Sequence, residues 1–138
     1  MANTITSTIL NKSAGSREIV YQWVLSSDGS NETATVIHDS SVVATAIGIA
    51  DPLTCHILQV KSSMAVASTA RVKLLFDATS ALLAIPIPNN NSEIDQDFRD
   101  FGGLKDIGGA GITGDITITT TGLASGDQIL LVLVVKMN

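Results

Sequence analysis

Arg17-Glu18-Ile19-Val20-Tyr21-Gln22-Trp23-Val24-Leu25-Ser26 decides how the chain folds. Ile19, Tyr21, Trp23 and Leu25 recur at every second position, which is the period of a pleated strand and not the 3.6-residue period of a helix. Aromatic and β-branched side chains suit such a surface. The alternate positions carry Val20, Gln22 and Val24, so the second face of this strand also expects partial cover. In the company of Ile19, Tyr21 and Leu25, Trp23 reads as core and not as an exposed stacking platform.

The same signals recur on both sides of this stretch. Residues 4–10 alternate Thr and Ser with Ile and Leu, and residues 32–39 alternate more weakly. Residues 54–61 and 70–77 follow, the second with Val72, Leu74 and Phe76 on one face and Arg71 and Lys73 on the other. Residues 81–87 form a short apolar run stopped by Pro86 and Pro88, and residues 115–121 and 128–137 complete the set. Between the runs lie turn clusters such as Ser26-Ser27-Asp28-Gly29-Ser30-Asn31 and Pro88-Asn89-Asn90-Asn91-Ser92. Residues 41–50 read as a short helix or a poor strand, and no window of ten residues carries a helical stripe. With no repeat and no linker, residues 1–138 are expected to be one all-β domain of about eight strands, a β-sandwich or jelly-roll-like fold.

Ile129-Leu130-Leu131-Val132-Leu133-Val134-Val135 is apolar on both faces. Such a strand belongs in the middle of a sheet that is covered on both sides. One face of a sandwich sheet ordinarily meets water. Either another segment of the chain or a neighbouring subunit is therefore expected to cover the second face.

Composition narrows the function classes. A chain of 138 residues can build one core without disulfides or metal. Apolar residues at 45% against 15% charged argue against disorder. The net charge is −5, and the eight basic residues are scattered, so no stripe exists to neutralise nucleic-acid phosphates. Cys55 is alone, which excludes an intramolecular disulfide and a cysteine-based zinc site; in a strand-like run it reads as a small buried hydrophobe. The N-terminal residues lack the basic and apolar regions of a signal peptide. The longest apolar run is too short to span a bilayer, so no membrane partner is expected. The expected setting is reducing and cytoplasm-like.

No catalytic, cofactor or metal constellation assembles from the sequence. Gly109-Ala110-Gly111-Ile112-Thr113-Gly114 matches the G-x-G-x-x-G spelling, but a strand-like run follows it where a phosphate site needs a helix N-terminus. Asp95, Asp97 and Asp100 cluster as calcium ligands can, yet Phe98 and Arg99 interrupt them and the distal Glu of a calcium loop is missing. A solvated loop or an Arg99 ion pair is the expected role. His38 and His56 stand in no metal-ligand spacing, and no G-x-S-x-G elbow occurs.

Three motifs carry a resemblance. They are Asp97-Phe98-Arg99-Asp100-Phe101-Gly102-Gly103-Leu104, then residues 109–116, then Thr120-Thr121-Gly122-Leu123-Ala124-Ser125-Gly126-Asp127. With Val72-Lys73-Leu74-Leu75-Phe76-Asp77-Ala78-Thr79 and Leu25-Ser26-Ser27-Asp28-Gly29-Ser30, they resemble the capsid decoration, or cement, proteins of tailed bacteriophages. Residues 40–51 fall outside the resemblance. It implies a β domain on the exterior of the virion capsid, assembled in the host cytoplasm, that ties capsomers of the major capsid protein together. It also implies a homo-oligomer, a trimer ahead of a dimer. Phe98, Arg99, Asp100, Phe101 and Lys105 are the expected interface, with Arg99, Asp100 and Lys105 making contacts and the phenylalanines holding the loop or plugging the end of the sandwich. The alternatives are a tail- or fibre-associated host-recognition module and, from another class, a small hydrolase.

Overall fold

Ten strands among the described residues form two antiparallel sheets packed face to face. The computed structural model describes residues 2–13, 15–67, 69–87, 93–106 and 109–138. In chain order the elements are β1 (Thr4–Lys12), β2 (Glu18–Asp28), β3 (Thr35–His38), α1 (Ser40–Ile47), β4 (Cys55–Ala65), β5 (Arg71–Phe76), β6 (Leu82–Ile87) and β7 (Glu93–Asp97). A 3-10 turn (Arg99–Phe101), β8 (Leu104–Lys105), β9 (Ile116–Thr121) and β10 (Ser125–Met137) follow. The larger sheet runs β1-β2-β10-β4-β7, with β8 also paired to β4; the smaller runs β3-β9-β5-β6. The fold is the expected β-sandwich.

The alternation in β2 is realised as a buried row. Leu25 pairs with Ile129, Trp23 with Leu131, Tyr21 with Leu133 and Ile19 with Val135. On the other side of β10 the same four residues meet Met64, Ser62, Val60 and Ile57 of β4. Four tiers of side chains thus cross three strands, all of them buried. Register is fixed because a slip of one residue would turn every apolar side chain of a tier to the other face. From the opposite sheet come Val72, Leu74 and Phe76 of β5 and Ile116 and Ile118 of β9, while Arg71 and Lys73 of β5 point to solvent as their alternation requires. Each such Leu, Ile or Phe contributes roughly 1.5–3 kcal/mol on burial.

The structure corrects two expectations and sharpens two others. There are ten strands and not about eight, because β7 and β8 are short and pair with β4 although their own composition is polar or minimal. Of the two readings of residues 41–50 the helix holds, over Ser40–Ile47: the Asp39 carboxylate accepts from the Val42 N–H at 3.2 Å as N-cap, and Gly48 at φ 76° ends the helix in the left-handed region. The weak pattern of residues 32–39 reflects a register shift between Val36 and His38, which puts Ile37 and His38 both inside. Pro86 does not stop its strand, since β6 is the edge of the smaller sheet, where a missing N–H breaks no ladder. Pro88 lies outside the described residues.

Candidate interaction surface

The second face of β10 is where the sequence asked for cover. On this outer face of the larger sheet the register aligns Leu130, Val132 and Val134 with Val24, Gln22 and Val20 of β2 and with Ser63, Lys61 and Gln59 of β4. Exposure is graded along the strand: Leu130 is 37% exposed, Val132 half-buried and Val134 only 7% exposed. At the open end lies a shallow groove of about 470 Å³ with Leu130 and Val132 on its floor and Lys61, Ser63, Glu93 and Asp95 on its rim. The Lys61 ammonium stands 3.8 Å from Asp95, and the Gln59 amide donates to the same carboxylate at 2.8 Å.

The closed end is built by Arg99. Its Nη1 donates to Gln59 Oε1 at 2.7 Å, and its guanidinium stands 3.4 Å from Asp97 and 3.6 Å from Glu18. Gln59 sits on β4 and Glu18 on β2, the two strands that flank β10, so the side chain reaches across β10 at the level of Val134. Another segment of the same chain therefore covers this half of the face. All three ion-pair partners are partly exposed, and each such pair is worth ~0–1 kcal/mol.

Backbone geometry fixes the segment that carries Arg99. The Phe98 N–H donates to Leu58 O at 2.8 Å, and Phe98 O accepts from the N–H groups of Phe101 at 3.0 Å and Gly103 at 2.9 Å. Gly103 has φ 98°, and a Cβ there would stand 3.0 Å from His56 Cβ, Ile57 O and Leu58 Cδ2. Only glycine lets the chain lie this close to β4. The five expected interface residues separate accordingly. Phe98 packs against the core, Arg99 engages its own chain, and Asp100, Phe101 and Lys105 are exposed, Phe101 to 78%. The two phenylalanines look alike in sequence, but the turn between them points one inward and one outward.

The remaining candidates have structural placements. Residues 109–114 lead into β9, where Thr113 donates to Asp77 at 2.9 Å. Asp95 and Asp97 serve Lys61 and Arg99, and among the described residues no group of three His, Cys, Asp or Glu is placed to hold a metal ion. Cys55 is fully buried, and desolvation, with Asp106 and Asp115 nearby, pushes its thiol far above the usual range. His38 is also fully buried, with its Nδ1 2.5 Å from Tyr21 Oη. Burial pushes the Tyr21 phenol up, so it keeps its proton and shares a hydrogen bond with Nδ1. Desolvation lowers His38 to about 4, against the weaker pull of Asp39 and Asp51. Sequence reasoning missed the rim, Lys61, Glu93 and Asp95, because those residues meet only through the β4–β7 register. The chain matches no family model, no curated protein and no solved structure.

Proposed function

We propose that this chain decorates the outside of a tailed-bacteriophage capsid, binding between capsomers of the major capsid protein and stabilising the shell without catalysis. It does so as a homo-oligomer, for which the sequence resemblance implies a trimer. The observation that carries the reading is Phe101. A phenylalanine 78% exposed stands on a turn pinned by two hydrogen bonds to Phe98 O, beside the exposed Asp100 and Lys105. Rigidly held aromatics on loops of a β scaffold are the usual anchors of protein interfaces. Many weak copies of such a contact, repeated by symmetry, add up to strong attachment.

The test is co-sedimentation of the purified protein with shells that lack it. Wild type is expected to pellet with the shells, and Phe101→Ala to bind ~1–3 kcal/mol more weakly per site with an unchanged melting temperature. Wild-type protein that stays in the supernatant would overturn the reading. Labelling of whole virions decides between head and tail, and label confined to the tail favours the host-recognition alternative.

A further inference from the structure

We infer that the free edge of β1 pairs antiparallel with β1 of a second copy of this chain, in the register that sets Ser7 against Ser7. Among the described residues β1 is the terminal strand of the larger sheet and pairs on one side only, with β2. Eight of its nine residues are exposed, among them Ile9 at 42% and Leu10 at 53%. Ile5, Ser7 and Ile9 lie on the core-facing side, opposite Leu25, Trp23 and Tyr21. Those β2 partners are buried, whereas Ser7 and Ile9 are open. The sandwich therefore stops short of its own edge strand.

Folded proteins usually blunt such an edge with charge, proline or brevity. β1 has no proline, and its only charge is the final Lys12. Thr-Ile-Thr-Ser-Thr-Ile is strongly β-forming and leaves a row of backbone donors and acceptors unpaired by another strand.

The sequence of this edge is complementary to itself. A two-fold axis through Ser7 pairs Ile5 with Ile9 twice on the core-facing side and Thr6 with Thr8 twice on the outer side. The neighbouring same-face registers, centred on Thr6 or Thr8, set Ile5 against Ser7 or Asn11 instead. Charge matches as well. At the start of β1 the Asn3 amide donates to Glu32 at 2.7 Å, and the Asn3 side-chain oxygen accepts from the Asp28 N–H at 3.1 Å, so an acidic pair marks this end. Lys12 marks the other end. Antiparallel pairing brings Lys12 of each copy to the acidic end of its partner, with no charged residue between. The register shift after Ile9 ends the straight part of the strand, so pairing is confined to residues 4–9 and their immediate flanks. The contact is isologous and closes as a pair, so it is a two-fold contact distinct from the three-fold one that the resemblance implies.

The proposal stands apart from shell attachment, and its test reads oligomeric state. Sedimentation equilibrium over a concentration series is run on wild type, on Ser7→Lys, which plants a like-charge pair on the two-fold axis, and on Ser7→Cys under mild oxidation. Wild type is expected to associate. Ser7→Lys should weaken association at least tenfold with an unchanged melting temperature. Ser7→Cys should be captured as a disulfide-linked dimer, since directly opposed residues stand within disulfide reach, and far faster than Thr6→Cys, which faces Thr8 and lies diagonal to its own copy; buried Cys55 does not compete. An oligomer of any size that Ser7→Lys leaves unchanged overturns the proposal. So does a monomeric wild type with no Ser7→Cys capture. If Ser7→Lys loses shell binding while the wild type is monomeric, the edge serves a strand of the shell protein and not a second copy. Retention of shell binding by Ser7→Lys, or its loss in Phe101→Ala alone, bears on the decoration reading only.

Discussion

The two faces of β10 are made of nearly the same residue types, and the molecule treats them differently. Ile129, Leu131, Leu133 and Val135 are at most 1% exposed, sealed by a second sheet. Leu130, Val132 and Val134 grade from open to closed according to what one arginine covers. Hydropathy alone does not assign burial; neighbours do. The inner face is closed by packing between sheets, and the outer face by a polar strap over one end.

The largest effect expected from that difference is a contrast of two leucines three residues apart, on opposite faces of β10. Leu133→Ala should cost ~2–5 kcal/mol in urea denaturation, because it opens a cavity that the four-tier core cannot collapse. Leu130→Ala should cost less than ~1 kcal/mol, since its side chain already meets water. Equal losses would show that the outer face is sealed in solution by something beyond this chain.

Next in size is the polar breach of the inner side. His38 titrates near 4 in the folded protein and near 6.5 when unfolded. The unfolded chain therefore binds the extra proton first as pH falls. Stability is full above about pH 6.5, is lost progressively down to about pH 4, and levels off below, a total of about 3 kcal/mol at about 1.4 kcal/mol per pKa unit. Denaturation midpoints at pH 7.5 and 4.5 check this, and His38→Gln should flatten the dependence. The variant also separates His38 from Asp115, whose carboxyl burial raises and whose contribution has the opposite sign. A wild-type profile that is flat across this window would mean that His38 finds a charged partner when protonated.

The smallest effect concerns the strap. Arg99→Ala should lower the stability of the isolated protein by less than ~1 kcal/mol, because its ion pairs are partly exposed and screened. Hydrogen exchange at Val134 should rise while that at Leu133 stays protected. A sharp fall in melting temperature would place Arg99 among the groups that hold β2, β10 and β4 together, not among the expected contacts.

What the sequence made legible follows from periodicity. β2 and β5 alternate over six or more residues, and their buried rows could be named in advance, whereas β10 is apolar on both faces and only its central place in the sheet was legible. α1 was ambiguous because two turns of Ser, Val and Ala carry no stripe, although its cap residues Asp39 and Gly48 were present to be read. β7 was not legible: Glu93-Ile94-Asp95-Gln96-Asp97 becomes a strand because β4 offers it an edge, not because of its own propensity. At the interaction surface, the doubly apolar strand pointed to the outer face, and the 97–105 segment to the exposed Phe101. That Arg99 would fold back onto Glu18 depends on a fit between β2, β4 and the 3-10 turn, which lie far apart in the chain.

The position of β10 in the larger sheet has a kinetic consequence. It is the last described strand to be synthesised, yet it lies between β2 and β4, which pair with it and not with each other. Until it emerges from the ribosome, β2 and β4 each have an open edge on the side that β10 fills. The sheet cannot zip up progressively from its N-terminal side, and folding waits for one late, long-range closure. Stalled or truncated nascent chains that lack this thirteen-residue strand are then the species most exposed to aggregation.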